Sequence, residues 1–332
     1  MVKAQTGLEG PRDDLTVIDN RTGQTYIIPI KDNTVAAIDF KKIKAPSKSG
    51  ERAENETERG LRVADKGFLN TAVITSEITY IDGDNGGKSM ARGALRRRRA
   101  QKWFLVLRYR GYPIEQLAIN SSFLEVAYLL IYGSLPSRQK FAVFKREVMT
   151  HSIVHVDAEG LFKSFRYDAH PMAILSSAFS ALGSFYEEAN PSLRGQHLFT
   201  KSDPDSLANM DKQIYRIIGK ATTFAAMAYR VRQGRPFVTP PTGLSYTASF
   251  LYQMDHLGQE DYVPSPTLAK ALDILFILHA DHELNASSTT VLQTGSSLVD
   301  PYSCMAAGVA SLYGPLHGMF GLVGRFEVKE AA

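Results

Sequence analysis

Apolar and polar residues change their pattern near residue 120. Before that point, Leu15-Thr-Val-Ile-Asp19 and Thr25-Tyr-Ile-Ile-Pro-Ile30 are β-branched runs around the turn residues Asn20-Arg-Thr-Gly23. They predict two short strands joined by a turn. Residues 46–59 are polar and charged and read as a linker, and Ser76–Asp82 reads as a further strand. Beyond residue 120 the period is helical. Ser122-Phe-Leu-Glu125 has the spacing of a capping box ahead of an apolar run that stops at Gly133 and Pro136. It predicts a helix over 123–132. Similar helices are predicted over about 138–150, 171–187, 211–232, 243–256, 266–281 and 301–313. Pro266 after Ser265 and Pro301 after Asp300 mark two of the starts. The polar stretch 195–207 is expected to lie between helices. The fold class is mainly α with a small N-terminal β element. The expected organisation is 1–45 as that β segment, 46–59 as linker and 60–318 as one large helical domain.

Composition adds limits. Hydrophobic residues make up 44% of the 332 and charged residues 22%, so the chain can bury a core. No apolar run reaches membrane-spanning length. The single cysteine, Cys304, excludes a disulfide framework and reads as a small buried core residue. The first 14 residues show no signal core or transit-peptide character. The expected location is cytoplasmic, with mitochondrial and peroxisomal placement left open.

The net charge of +4 is local in origin. Residues 87–106 hold seven cations, Arg96–Arg99 among them, and no acid, so the remainder of the chain carries −3. Four adjacent arginines suggest a nucleic-acid patch. No recognisable nucleic-acid module surrounds them, and the expectation is no nucleic-acid partner.

Two histidine motifs carry candidate chemistry. One is His279-Ala-Asp-His282-Glu-Leu-Asn285, the other Gly314-Pro-Leu-His317-Gly318. Alone, the pair His279 and His282, expected on one face of a helix, reads equally as a core pair or a solvated helix end. No third ligand motif makes it a metal site. His151, His155 and His170 read as structural or surface residues.

With Gly60-Leu-Arg-Val63, Gly67-Phe-Leu-Asn-Thr-Ala72, Ile78-Thr-Tyr-Ile-Asp-Gly-Asp84, Leu107-Arg-Tyr-Arg-Gly-Tyr-Pro-Ile-Glu-Gln-Leu-Ala118 and Ser164-Phe-Arg-Tyr-Asp-Ala-His-Pro-Met-Ala173, these motifs make residues 15–86 and 107–318 resemble the citrate synthases common in bacteria. The resemblance implies condensation of oxaloacetate with an acyl-CoA. Acetyl-CoA is the default donor, and propionyl-CoA or longer donors would give methylcitrate or alkylcitrates. Such chemistry deprotonates a carbon acid with a weak carboxylate base, so the thioester oxygen must receive a hydrogen bond as the enol forms. By motif, His317 is the implied enol-stabilising residue, and His279, His282 and Asn285 are the implied oxaloacetate contacts. No resident cofactor or metal is implied, acyl-CoA being a co-substrate, and the family is dimeric.

Two departures from the family pattern stand out. Residues 87–106 intervene where a single residue should join Gly86 to Leu107. After Gly318 the family's third segment, with its Asp base, arginines and much of the CoA-side domain, is not matched by Met319–Ala332. Both departures begin at a glycine whose codons can supply an intron donor, and Phe104-Leu-Val106 can supply an acceptor. Both are therefore expected to be translated introns, and the chain as written is expected to be inactive. The alternatives are a catalytically dead member that pairs with an intact subunit, and a basic-patch nucleic-acid binder.

Overall fold

The computed structural model describes residues 13–44, 60–66, 70–82, 106–194 and 203–314. The 46–59 linker, the tail 319–332 and His317 lie outside the described residues. So does the 87–106 segment, except Val106. The chain divides into two compact units, Met1–Thr75 and Ser76–Ala332.

In the first unit, β1 (Asp14–Asp19) and β2 (Gln24–Lys31) form an antiparallel hairpin, to which β3 (Thr34–Val35) adds a short edge. Asp19 fixes the turn. Its carboxylate accepts from the backbone N–H of Arg21 and from Nε and Nη2 of the Arg21 guanidinium at 2.9–3.0 Å.

The second unit opens with a small antiparallel sheet of β4 (Thr79–Asp82), β5 (Val106–Tyr109) and β6 (Tyr112–Pro113). The register places Thr79 opposite Tyr109, and Asp82 opposite Val106. Val106, the last residue of the 87–106 segment, is therefore a strand residue paired with Asp82.

Among the described residues eleven helices follow: α1 (Ile114–Asn120), α2 (Phe123–Tyr132), α3 (Arg138–Thr150), α4 (Val156–Lys163), α5 (Pro171–Leu182), α6 (Pro191–Arg194), α7 (Pro204–Arg232), α8 (Tyr246–Asp255), α9 (Pro266–Leu278), α10 (Ala286–Gly295) and α11 (Pro301–Leu312). The capping box is present in full: Ser122 Oγ accepts from the Glu125 N–H, and the Glu125 carboxylate accepts from the Ser122 N–H. Gly133 closes α2 at φ 86°, in the left-handed region that favours glycine. Ser265 and Asp300 cap α9 and α11 ahead of their prolines.

Several expected boundaries move. α7 starts at Pro204 behind the Asp203 cap, so the polar residues 204–207 are already helical. α5 ends at Leu182 and continues only as two short 3-10 turns. α9 stops at Leu278, so His279 and His282 do not share a helical face. Helices α1, α4, α6 and α10 lie outside the expected set.

The central helix is α7. Phe224 and Met227 pack with Phe162 of α4, Ile174 and Phe179 of α5 and Tyr302 of α11 in the largest buried cluster. A second cluster joins β5, α1, α2 and the end of α9 through Tyr109, Leu117, Leu129 and Ile277. Cys304 is buried at 6% exposure, the core position expected of it.

Candidate active site

The histidine motif begins where α9 ends. His279 is the C-cap residue, exposed, with Nδ1 2.8 Å from the Leu275 carbonyl. A carbonyl only accepts, so Nδ1 is the donor in this contact, and Nε2 is left without a partner among the described residues. Nothing prolongs the helix past this point. Glu283 adopts φ 56°, a left-handed value uncommon for a residue with a side chain. The Asp281 carboxylate stabilises this reversal by accepting from the Glu283 N–H at 3.2 Å. His282 sits at the apex of this turn, exposed and without a polar partner among the described residues.

Asn285 then caps α10. Its Oδ1 accepts from the Ser288 N–H at 2.9 Å and from Ser287 Oγ at 2.8 Å. Capping uses the acceptor side of the amide and leaves the two N–H donors of Asn285 available. The first turn of α10 adds the positive end of a helix dipole beside them.

The turn is fastened to the sheet from below. Thr79 Oγ1 of β4 donates to the Asp281 carboxylate. Tyr109 of β5, fully buried, donates its hydroxyl to the Asp281 carbonyl at 3.0 Å and faces the Asp281 N–H at 3.4 Å. Burial pushes the Tyr109 hydroxyl above the usual phenol range, so it stays protonated and able to donate.

The second motif lies mostly outside the described residues; Gly314 is the last of it that is described. The helix that precedes it is described. A Cβ on Gly308, in α11, would meet Val291 Cγ2 at 2.8 Å and Ser287 O at 3.8 Å. The C-terminal half of α11 thus runs beside the N-terminus of α10, and glycine at 308 allows that approach. About 1.5 Å per residue over the last turn carries α11 out on the side of Asn285. The described residues therefore bring His279, His282 and Asn285 into one segment, with the C-terminal half of α11 beside it.

Three histidines outside the motif have structural work. His155 and His170 cap α4 and α5 by accepting from the Asp157 and Met172 N–H groups. His151 caps α3, with Nδ1 2.7 Å from the Glu147 carbonyl. Among the described residues no group of three metal-ligating side chains occurs. The supporting trio Thr79, Tyr109 and Asp281 was not legible as functional. Its only sequence signal was that both strand segments are themselves among the quoted motifs.

Comparison with known proteins gives one consistent result. A family model described as "Citrate synthase, C-terminal domain" matches residues 67–321. The chain is 49% identical over 307 residues to "Citrate synthase" of Dictyostelium discoideum, covering 92% of the chain and 54% of that relative. It is 47% identical to "Citrate synthase, peroxisomal" of the same organism, covering 92% and 56%. The citrate synthase structure from Pyrobaculum aerophilum matches with a TM-score of 0.67 at 27% identity, covering 87% of this chain and 64% of that one. The chain spans about half the length of the curated relatives it matches.

Proposed function

The chain belongs to the citrate synthase family, and from that membership we propose that its histidine segment serves the condensation of oxaloacetate with an acyl-CoA. The observation that carries the reading is the turn 279–285: an exposed His282 at its apex, with the unused amide donors of Asn285 beside a helix N-terminus. Donors gathered in this way suit a dianionic keto acid. In this reading His282 and His279 hydrogen-bond the ketone carbonyl and Asn285 donates to a carboxylate. His317 donates to the thioester oxygen as the acyl carbon loses its proton, and the resulting enol attacks the ketone carbon. No resident cofactor or metal takes part.

We read turnover by residues 1–332 alone as negligible. The Asp281 carboxylate is committed to Thr79 and to the Glu283 N–H, so it is not free to take the proton. Acetyl-CoA is the first donor to test, followed by propionyl-CoA and longer chains. A homodimer is the assembly the family resemblance implies. A peroxisomal relative makes the peroxisome the alternative to the cytoplasm, to be decided by imaging a tagged protein. Among the described residues no helix is long and apolar enough to cross a membrane.

Calorimetric titration of the full chain with oxaloacetate is the test. Binding is expected, and His282→Ala should weaken it about tenfold or more, the value of one charge-assisted hydrogen bond. A chain that binds no oxaloacetate, or binds it equally after His282→Ala, refutes the reading. In a thiol-release assay with acetyl-CoA, turnover should not exceed that of His317→Ala.

A further inference from the structure

We propose that Tyr109 and Thr79 are positioning residues for His282, acting through Asp281. The proposal deepens the functional reading above and rests on it for the identity of the ligand. Three observations carry it. First, Asp281 is the residue before His282, and every polar atom of Asp281 that the structure pairs is held either by the hairpin or by the turn itself. Its carboxylate accepts from Thr79 Oγ1 and from the Glu283 N–H; its carbonyl accepts from Tyr109, whose hydroxyl oxygen also faces its N–H. Second, the support is rigid. Tyr109 has no solvent exposure and sits in the cluster with Leu117, Leu129 and Ile277, while β4 and β5 pair in register from Thr79 to Asp82. Third, the turn it holds is intrinsically unfavourable, because Glu283 is left-handed without being glycine. Such a conformation persists only where surrounding contacts determine it.

The consequence is directional. An exposed side chain at the apex of an unsupported turn samples several orientations, and ordering it on binding weakens the complex. With Asp281 clamped from two strands some 170 and 200 residues earlier in the chain, the backbone at 282 is set before ligand arrives. The hairpin, which touches neither histidine by a hydrogen bond among the described residues, thereby controls the aim of the imidazole.

The test compares full-length wild type with Tyr109→Phe, Thr79→Val and Thr79→Ser. Tyr109→Phe keeps the buried ring and removes only the hydroxyl; Thr79→Val is isosteric, and Thr79→Ser keeps the donor. The first readout is the NMR resonance and titration of the His282 imidazole, assigned through His282→Gln. It needs no ligand. The second is the dissociation constant for oxaloacetate by calorimetry. Tyr109→Phe and Thr79→Val should shift the His282 resonance and weaken oxaloacetate binding about tenfold each. Thr79→Ser should restore both, and His155 and His170 should not respond. Unchanged His282 signals in both Tyr109→Phe and Thr79→Val overturn the proposal, and so does a shifted signal with unchanged affinity. If wild type binds no oxaloacetate, the functional reading fails, and the His282 signals alone decide whether the clamp exists. A variant that does not fold, shown by loss of dispersion at every histidine, is set aside in favour of the other, which tests the same contact to Asp281.

Discussion

Excising residues 87–105 should leave the protein folded and make it more stable. The register of the β4–β5 hairpin is the reason. Asp82 and Val106 close it as its last pair, and 23 residues connect them in the present sequence. Removing 87–105 joins Gly86 to Val106 and leaves Gly83-Asp-Asn-Gly86 as the connection. Four residues rich in glycine, aspartate and asparagine form an ordinary hairpin loop. All four pairs from Thr79↔Tyr109 to Asp82↔Val106 keep their partners, so Tyr109 stays on its buried face. A one-residue slip would instead turn each side chain over. Loop-closure entropy scales with the logarithm of length, and going from 23 to 4 residues gives about 1.5 kcal/mol. For a unit of this size that corresponds to a rise of roughly 3–6 °C in Tm. The excision also removes seven cations and takes the net charge from +4 to −3. The comparison therefore belongs at high salt, where surface charge is screened. Differential scanning calorimetry and urea titration of both proteins are the measurements. A lower Tm or a split transition after excision would refute the reasoning, because it would mean that 87–105 contributes contacts to the folded state.

The other predictions concern buried and half-buried groups around α7. Glu188 is paired with Arg216 at 2.7 Å and Lys212 at 3.2 Å; burial works to raise its pKa, but hydrogen bonds and the Arg216 charge outweigh it and hold the carboxyl at about 2. Its stabilising contribution, about 2–3 kcal/mol relative to Glu188→Gln, is present above the unfolded value near 4.5 and should vanish as pH falls toward 2, seen by urea titration across that range. Lys220 behaves in the opposite sense: burial, then the Arg216 charge, brings it down to about 8 from 10.5. The unfolded chain therefore holds the proton longer, and stability relative to Lys220→Met should rise by about 3 kcal/mol between pH 8 and 10.5. Arg230, 2% exposed, donates to the carbonyls of Pro236, Gln253, Met254 and His256 at 2.5–3.1 Å. Arg230→Met should cost about 3 kcal/mol by chemical denaturation, because those carbonyls lose their shared donor. Gly219→Ala should cost about 1–3 kcal/mol despite alanine's helix preference, because its Cβ would meet the Val148 carbonyl at 2.4 Å; an unchanged midpoint would show that α3 and α7 can separate.

Local chemistry explains which features could be read directly. Ser122 with Glu125, Ser265 with Pro266 and Asp300 with Pro301 each satisfy helix ends through groups within three residues, so their spacing determined the starts of α2, α9 and α11. The motif around His279, His282 and Asn285 was equally visible as a string of side chains. Its shape was not. Apolar residues continue in helical rhythm to Ala280, and only the structure shows α9 stopping at Leu278, because the group that holds the alternative turn is Asp281 and its partners are Thr79 and Tyr109. Helix α10 escaped notice for a related reason: it has no fully buried residue, so no apolar stripe marks it, and its position depends on Gly308 of α11 admitting its close approach. The start of α7 at Asp203 was locally encoded but overridden by the polar run that follows it. The sequence determined the helical class, the caps and the chemical content of the site. Tertiary structure decided where α9 ends and which way His282 is presented, because those outcomes rest on hydrogen bonds between residues far apart in the chain, which no local pattern records.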